Sequence, residues 1–216
     1  MKHQKSYAVF GLGRYGKAVV KELLDNGASV LAVDQNQKTV DALAEEIPLV
    51  KCADVTDPNV IKQLGISEFD VVVIAMAENF EASVMATLLC KEQNVKTVIV
   101  KCANDAHRAI LKKLGADEAV VPEYESGVRL AKNLVSSGFV DIADISEDIS
   151  ILELPVKEEW VGKTLLELEL RKKYNMNVVA LITNGVADIS FRPDTILHAG
   201  AQMIVIADKN MLARMK

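Results

Sequence analysis

The sequence predicts an α/β protein in which a doubly wound parallel sheet is followed by a smaller α+β domain. Over the first two thirds of the 216 residues, short β-branched runs alternate with helical patterns, as in a parallel sheet covered by helices. A glycine turn, Gly11-x-Gly13-x-x-Gly16, joins the first run to the first helical pattern. From Phe139 onward short strand patterns dominate. We therefore expect one domain over residues 1–137 and a second over 138–216, with a small-residue break at Ser136-Ser137-Gly138.

Six strands are predicted in the first domain. They are apolar throughout, which indicates a sheet buried on both faces, and their number fits the strand order 3-2-1-4-5-6. The predicted strands are Tyr7–Phe10, Ser29–Val33, Leu49–Cys52, Val71–Ala75, Thr97–Lys101 and Ala119–Val121. The predicted helices are Lys17–Asn26, Lys38–Glu45, Asn59–Leu64, Glu81–Glu92, Ala106–Leu114 and Val128–Val135.

The second domain should be small and rich in strands. Asn184-Gly185 is a strong hairpin signal. A tail of roughly 75 residues has little material for a self-sufficient core, so we expect another copy of the chain to stabilise it. The predicted elements are strand Ser150–Leu154, helix Leu165–Tyr174, strands Val178–Thr183 and Val186–Phe191, and strand Met203–Ala207.

Composition and charge argue against several classes of protein. The net charge of −5 gives no support to binding of nucleic acid or of an anionic membrane surface. No apolar run approaches the roughly 18 residues of a membrane span, and the polar N-terminus carries no secretory signal. Cys52, Cys90 and Cys102 lie in apolar segments. We expect them to be buried free thiols in a cytoplasmic protein.

The strand, glycine turn and helix start at residues 7–16 predict a dinucleotide site. Gly11 permits the tight turn, Gly13 lets the backbone approach the phosphates, and Gly16 lets the helix pack closely. The exposed N–H groups and the dipole at the helix start favour negative charge. Asp34 ends the second strand about twenty residues later and can accept hydrogen bonds from both ribose hydroxyls. Because it would repel a 2′-phosphate, NAD or an ATP-type nucleotide is favoured over NADP.

Other residues are expected to complete this site. Asn36 could share the ribose, Asp54 could cap the adenine end, and the short side chains after the fourth strand let a ligand lie against the backbone. The alternative is that the glycines serve only a strand–helix turn, or that the fold carries an empty site. The candidate nucleotide-binding residues are Gly11, Gly13, Arg14, Tyr15, Gly16, Asp34, Gln35, Asn36, Asp54, Val55, Ala75, Met76, Ala77, Asn79, Lys101 and Glu123.

Three charged residues are candidates for the phosphate end. Arg14 lies inside the glycine turn and could bind a β- or γ-phosphate bidentately, and Lys101 ends the fifth strand at the same edge of the sheet. Glu123 follows Val120-Val121-Pro122, and a carboxylate beside triphosphates is typical of a divalent cation site, for Mg²⁺ or Ca²⁺. The alternatives are a solvated arginine, a lysine that extends to solvent at a strand end, and a glutamate that interacts with a helix dipole.

Catalytic groups are missing from the pattern. A dehydrogenase needs a proton donor or acceptor near the nicotinamide. His3, His107 and His198 have no evident acid partner, and there is no Tyr-x-x-x-Lys pair. A protein that binds a nucleotide without reacting with it is therefore favoured. A small NAD-dependent oxidoreductase and an NADH redox sensor remain alternatives.

Four segments together resemble RCK proteins, the regulators of conductance in potassium transport, of the KtrA/TrkA type. They are FGLGRYG (Phe10–Gly16), LAVDQN (Leu31–Asn36), LGADEAVVPEYESG (Leu114–Gly127) and LRKKYNMNVVAL (Leu170–Leu181). The resemblance covers essentially the whole chain. It implies a cytosolic gating ring, commonly of eight subunits, on a membrane potassium-translocating subunit, with ATP, ADP, NAD or NADH in the Rossmann cleft.

The resemblance also implies roles for single residues. Arg14 matches the family's phosphate-loop arginine, Asp34 its acidic ribose residue, and Glu123 a glutamate that helps to hold a divalent cation. Helix Val128–Val135 matches one that crosses to a neighbouring subunit. In many KtrA-like proteins the second domain binds cyclic di-AMP at its dimer interface. The alternative is a plain dimer-forming domain in which Arg171 is solvated. The matching positions here are Arg171, Asn177, Val178, Val179 and Pro193.

Overall fold

A computed structural model describes residues 5–135, 140–146 and 148–208 of the protein. The chain divides into two compact units, and the division falls after Glu125. The predicted break at Ser136-Ser137-Gly138 lies outside the described residues, and the domain boundary between residues 137 and 138 stays a prediction. Each unit is described by itself below.

The first unit contains a six-stranded sheet in the order β3-β2-β1-β4-β5-β6 with all neighbours parallel. This confirms the predicted fold class and strand order. The strands are β1 (Ser6–Phe10), β2 (Ser29–Asp34), β3 (Val50–Cys52), β4 (Val71–Ile74), β5 (Thr97–Lys101) and β6 (Glu118–Val120). The helices are α1 (Arg14–Asp25), α2 (Gln37–Leu43), α3 (Pro58–Gln63), α4 (Phe80–Glu92) and α5 (Asp105–Lys113). Helix α6 (Pro122–Val135) begins in this unit and continues past the division after Glu125.

Helices cover both faces of this sheet, so successive residues of one strand enter different cores. Phe10 and Ile74 belong to a cluster that also contains Leu111 of α5. Their neighbours Val9 and Val73 belong to a second cluster with Val20 of α1. Burial on both faces explains why these strands are apolar at every position and do not alternate. It also leaves the carboxyl edge of the sheet as the place where polar side chains gather.

Helices α2, α3, α4 and α5 each follow a side-chain cap and begin one residue earlier than predicted. Asn36, Asp57, Asn79 and Asn104 each accept a backbone N–H at the start of the helix that follows, the usual work of an N-cap residue. Helix α6 begins furthest ahead of its prediction, because Pro122 occupies the first helical position and its fixed φ suits that place.

The second unit is a five-stranded antiparallel sheet in the order β10-β9-β11-β8-β7, with its own hydrophobic core. Trp160, Met203 and Val205 are among the buried residues of that core. The smaller α+β domain is thereby confirmed. The strands are β7 (Val140–Asp144), β8 (Ile149–Pro155), β9 (Met176–Thr183), β10 (Val186–Asp188) and β11 (Gln202–Asp208), and the helices are α7 (Leu165–Leu168) and α8 (Leu170–Tyr174).

The hairpin prediction is confirmed and two neighbouring predictions need correction. Asn184 and Gly185 both have positive φ, at 52° and 77°, as a two-residue hairpin turn requires. The single helix predicted over Leu165–Tyr174 is two short helices, because Glu169 between them adopts the left-handed conformation with φ 49°. The strand predicted over Val186–Phe191 ends at Asp188.

The cysteine prediction is correct for two residues and wrong for the third. Cys90 and Cys102 are buried, whereas Cys52 is exposed because it ends β3 at the edge of the sheet. Burial raises the pKa of the Cys90 thiol to about 12, so this group stays protonated at neutral pH. None of the helices in the described ranges is long and apolar enough to cross a membrane.

Candidate nucleotide-binding site

A cleft lies at the carboxyl edge of the first unit's sheet. It forms where the glycine turn after β1, the end of β2, the segment after β3 and the start of α4 meet. The lining residues are Gly11, Val33, Asp34, Gln35, Ala53, Asp54, Val55, Thr56, Met76, Asn79 and Ala82. Ligands of doubly wound sheets bind in this position, and most of the lining is apolar with a few fixed polar groups.

Asp34 is held between the glycine turn and the end of its own strand. Its Oδ2 accepts a hydrogen bond from the Leu12 N–H at 2.7 Å, and its Oδ1 accepts one from the Asn36 N–H at 2.8 Å. Each carboxylate oxygen has a further lone pair. The carboxylate is therefore already oriented and can still accept hydrogen bonds from two vicinal hydroxyls.

The three glycines of the turn have different surroundings. Gly11 has φ 88°, and a Cβ there would lie 2.7 Å from the Met76 Cγ. A Cβ on Gly16 would lie 1.9 Å from the Gly11 carbonyl oxygen, so only glycine lets α1 start this close to the turn. Gly13 has an ordinary φ of −68°, and nothing lies within 4 Å of its missing Cβ. Space above Gly13 is thus open to a ligand.

Asp54 is fixed by a local turn that the sequence analysis did not name. Its Oδ1 accepts hydrogen bonds from the Thr56 N–H at 2.9 Å and from the Thr56 hydroxyl at 2.7 Å. These bonds hold the pKa of the Asp54 carboxyl below its usual value, so the group is ionised at neutral pH. The Asp-x-Thr spacing is a signal for such a turn.

A second cluster of predicted residues lies beside the glycine turn. The Lys101 Nζ donates to the Glu123 Oε1 at 2.6 Å and lies 5.5 Å from the centre of the Tyr15 ring. The hydrogen bond from Lys101 lowers the pKa of Glu123, and the charge of Arg14 acts in the same direction. Burial raises the pKa of Tyr15, and the negative charges of nearby glutamates, Glu123 among them, raise it further. This cluster gathers the positive charges of Lys101 and Arg14 and the carboxylate of Glu123 beside the start of α1.

The structure brings some predicted residues into the cleft and leaves others outside its lining. Asn36 and Asn79 cap helices α2 and α4 through their side-chain oxygens, a role that the sequence analysis did not assign. Predicted residues in the lining are Gly11, Asp34, Gln35, Asp54, Val55, Met76 and Asn79. Predicted residues outside it are Gly13, Arg14, Tyr15, Gly16, Asn36, Ala75, Ala77, Lys101 and Glu123. Lining residues that were missed are Val33, Ala53, Thr56 and Ala82.

The residues around Glu123 do not form a metal site by themselves. Among residues 5–135, 140–146 and 148–208, no three His, Cys, Asp or Glu side chains are placed to hold a metal ion. Glu123 supplies one carboxylate, which is paired with Lys101. The divalent cation at Glu123 stays a prediction.

The second unit has a groove of its own. Its lining combines apolar side chains with the exposed Arg171 and Asn177, while the exposed Val179 is not part of it. The lining residues are Leu165, Leu166, Glu169, Leu170, Arg171, Lys172, Met176, Asn177, Val178, Phe191 and Pro193. Four of the five residues predicted for this unit therefore share one groove.

His107 lies at the start of α5, where its ring stacks on Phe80 with ring centres 3.9 Å apart. His198 is exposed in the second unit, and His3 lies outside the described residues. The stacked position orients the His107 ring against an apolar neighbour.

Comparison with known proteins identifies both units. The TrkA-N domain model matches residues 7–122, and the TrkA-C domain model matches residues 149–216. The Ktr system potassium uptake protein C of Bacillus subtilis is 36% identical over 98% of this chain and 96% of its own length. The Ktr system potassium uptake protein A of the same organism is 34% identical over 97% of this chain and 95% of its own.

Solved structures show the same fold. The RCK domain of GsuK matches with a TM-score of 0.71 at 17% identity, over 99% of this chain and 47% of that one. The GsuK channel bound to NAD matches with a TM-score of 0.71 at 18% identity, over 98% of this chain and 39% of that one. This chain thus spans about half of the GsuK RCK chain or less. With both domain models matched and near full-length relatives above 30% identity, the chain belongs to the RCK family of TrkA-N and TrkA-C domain proteins.

Proposed function

We propose that this protein is a cytosolic subunit that senses nucleotides and regulates a potassium channel or transporter, and that it is not an enzyme. The observation that carries the proposal is the near full-length match to two Ktr potassium uptake proteins. The cleft supports the proposal as well, because the oriented Asp34 carboxylate and the open space at the glycine turn suit a nucleotide.

The proposed ligand of the cleft is ATP, ADP, NAD or NADH. The oriented Asp34 carboxylate favours an unmodified adenosine ribose over a ribose with a 2′-phosphate. Open space at Gly13 and the start of α1 suits a pyrophosphate. Arg14 and Lys101 supply positive charge for further phosphates. A divalent cation at Glu123, as Mg²⁺ or Ca²⁺, would need most of its ligands from the nucleotide.

Regulation would follow from differences between ligands. Nucleotides that differ in phosphate charge can favour different conformations, since a ligand shifts an equilibrium only by its differential affinity for the two states. A coupling of about 1–3 kcal/mol is typical of such sites. The proposed partners are a membrane potassium-translocating subunit and further copies of this chain, as dimers assembling into an octameric ring at the inner face of the cell membrane.

The groove of the second unit is proposed to bind cyclic di-AMP. Arg171 can pair with a phosphate, and Asn177 can hydrogen-bond an adenine edge. The apolar Val178 and Pro193 line the same groove. Val179 is proposed to contribute only through a dimer interface. Two copies around a two-fold axis would suit a two-fold symmetric ligand.

The test is equilibrium binding of ATP, ADP, NADH and cyclic di-AMP to the pure protein, with the particle mass recorded for each. Tight binding of ATP or ADP by an octamer-sized particle supports the proposal. Binding of NADH alone by a dimer would favour the oxidoreductase or redox sensor. An oxidoreductase should also turn over NADH with a carbonyl substrate and lose that activity on His107→Ala.

A further inference from the structure

We propose that the first turn of α6 is held by two ion pairs of different kind, and that a nucleotide's phosphates compete for one of them. Lys101–Glu123 is the exchangeable pair, and Arg108–Glu125 is the fixed pair, with Arg108 as a positioning residue. The inference rests on the proposed nucleotide function, because it describes how a ligand in the cleft changes the attachment of α6.

The exchangeable pair joins a largely buried cation to an exposed anion. The side chain of Lys101 is 16% exposed and that of Glu123 is 70% exposed. Lys101 ends β5 and lies over the Tyr15 ring, beside the glycine turn. A phosphate placed at the start of α1 would offer Lys101 more negative charge than one carboxylate does. Glu123, with most of its surface in water, loses little when it is released.

The fixed pair has more partners than the exchangeable pair. The Arg108 Nη2 donates to the Glu125 Oε1, and its Nη1 lies 3.3 Å from the Asp105 Oδ1. The same Glu125 oxygen accepts the Val121 N–H at 3.3 Å. The Arg108 Nε is buried without a hydrogen-bond partner among the described residues. The guanidinium is therefore held in place by two carboxylates although one donor is left unsatisfied.

Because phosphates compete for only one of the two ion pairs, the attachment of α6 depends on the charge of the bound ligand. Without nucleotide, Lys101 holds Glu123 and Arg108 holds Glu125. With nucleotide bound, Lys101 pairs with a phosphate and Glu123 is released. Of the two ion pairs, only Arg108–Glu125 then still holds the first turn of α6. The first turn of α6 is then no longer restrained at Glu123, while it stays attached through Glu125.

Affinity for ATP in the presence of EDTA tests the exchange directly. Because Glu123→Gln frees Lys101 beforehand, ATP should bind about threefold to fivefold more tightly to this variant. The gain should disappear in a Lys101→Met background. Glu118→Gln is the matched control, since it removes an exposed negative charge that also acts on Tyr15 without breaking the pair. Equal gains in Glu118→Gln and Glu123→Gln, or a gain that persists with Lys101→Met, would overturn the exchange.

Hydrogen exchange of the α6 amides tests the consequence. In the presence of EDTA, ATP should speed exchange in the first turns of α6 in the native protein and leave it unchanged in Glu123→Gln, where it is already fast. Glu125→Gln should speed exchange with and without ATP while keeping the ATP-dependent difference. Bound ATP with no change in α6 overturns this inference alone. Failure of the native protein to bind any adenosine nucleotide overturns both this inference and the proposed function.

Discussion

The Asp34 carboxylate accepts the backbone N–H of Leu12 at 2.7 Å, and this bond joins the end of β2 to the glycine turn that follows β1. The two strands are neighbours in the sheet, with Val33 level with Phe10. One side chain therefore contributes to the geometry of the turn and to the chemistry of the cleft. A substitution at Asp34 must be interpreted with both roles in mind.

Asp34→Ala should weaken every adenosine ligand. The variant loses a charged acceptor for the ribose and leaves the Leu12 N–H without its partner. A hydrogen bond to a charged group contributes about 1.5–3 kcal/mol, so affinity for ATP and NAD should fall roughly tenfold to a hundredfold. Titration calorimetry of both ligands is the measurement. Asp57→Ala, at a cap outside the cleft lining, is the control, and unchanged affinities in Asp34→Ala would refute the assignment of the cleft.

Gly13→Ala should separate ligand binding from folding. Its backbone φ of −68° is open to alanine and no atom crowds the added methyl, so the loss of stability should be about 1 kcal/mol or less. The methyl would project where the pyrophosphate approaches, and nucleotide affinity should fall more than about tenfold. Thermal unfolding and ligand titration on the same sample measure the two effects.

Gly16→Ala is the contrasting variant. The added methyl would overlap the Gly11 carbonyl oxygen at 1.9 Å, so α1 or the turn must move. We expect destabilisation of about 3 kcal/mol or more, measured by denaturant unfolding. A Gly16→Ala protein as stable as the native one would show that the turn is not packed as described.

Asp70→Asn should destabilise the protein in a pH-dependent way. The Ser6 N–H and Lys96 lower the pKa of Asp70 from 3.8 to about 2. The ionised form is thus stabilised by folding, and the contribution is present above about pH 4 and lost as the pH falls through about 2. The melting temperature of Asp70→Asn should lie below that of the native protein at pH 7, and the difference should shrink towards pH 2. Glu68→Gln controls for the loss of one negative charge, and a difference that grows on acidification would contradict the pairing.

Arg171→Ala should abolish most binding of cyclic di-AMP if the groove of the second unit is its site. Losing a charge-assisted bond to phosphate should cost roughly tenfold or more in affinity. Arg192→Ala is the matched control, because Arg192 is exposed, pairs with Asp194 at 3.2 Å and lies outside the groove lining. Equal losses in the two variants would point to general electrostatic attraction.

Much of the fold could be predicted because its signals are local and repeated. Strands such as Val71–Ile74 are apolar at every position, and Asn184-Gly185 supplies the positive φ of a hairpin turn. Boundaries were less predictable, since capping by Asn36 or Asn79 depends on a single side-chain bond. The break at Glu169 could not be predicted, because a left-handed glutamate has no sequence signal.

The candidate site likewise contains residues that a sequence motif indicates and residues that only the fold brings together. Gly11 and Asp34 belong to a motif whose spacing follows from the turn itself, so the sequence indicates them directly. Val33, Ala53 and Ala82 line the cleft only because the sheet edge and α4 meet there, and no motif marks them. The exposure of Cys52 follows from the position of β3 at the edge of the sheet, which the predicted strand order already implied and the apolar residues around Cys52 concealed.

The central claim is that adenosine nucleotides bind in the cleft of the first unit. It is tested most directly by titrating ATP into the native protein and into Gly13→Ala under identical conditions. The account predicts saturable binding by the native protein and a loss of more than about tenfold in the folded variant. Equal affinity in both proteins, or no binding of ATP, ADP or NADH by the native protein, would contradict it.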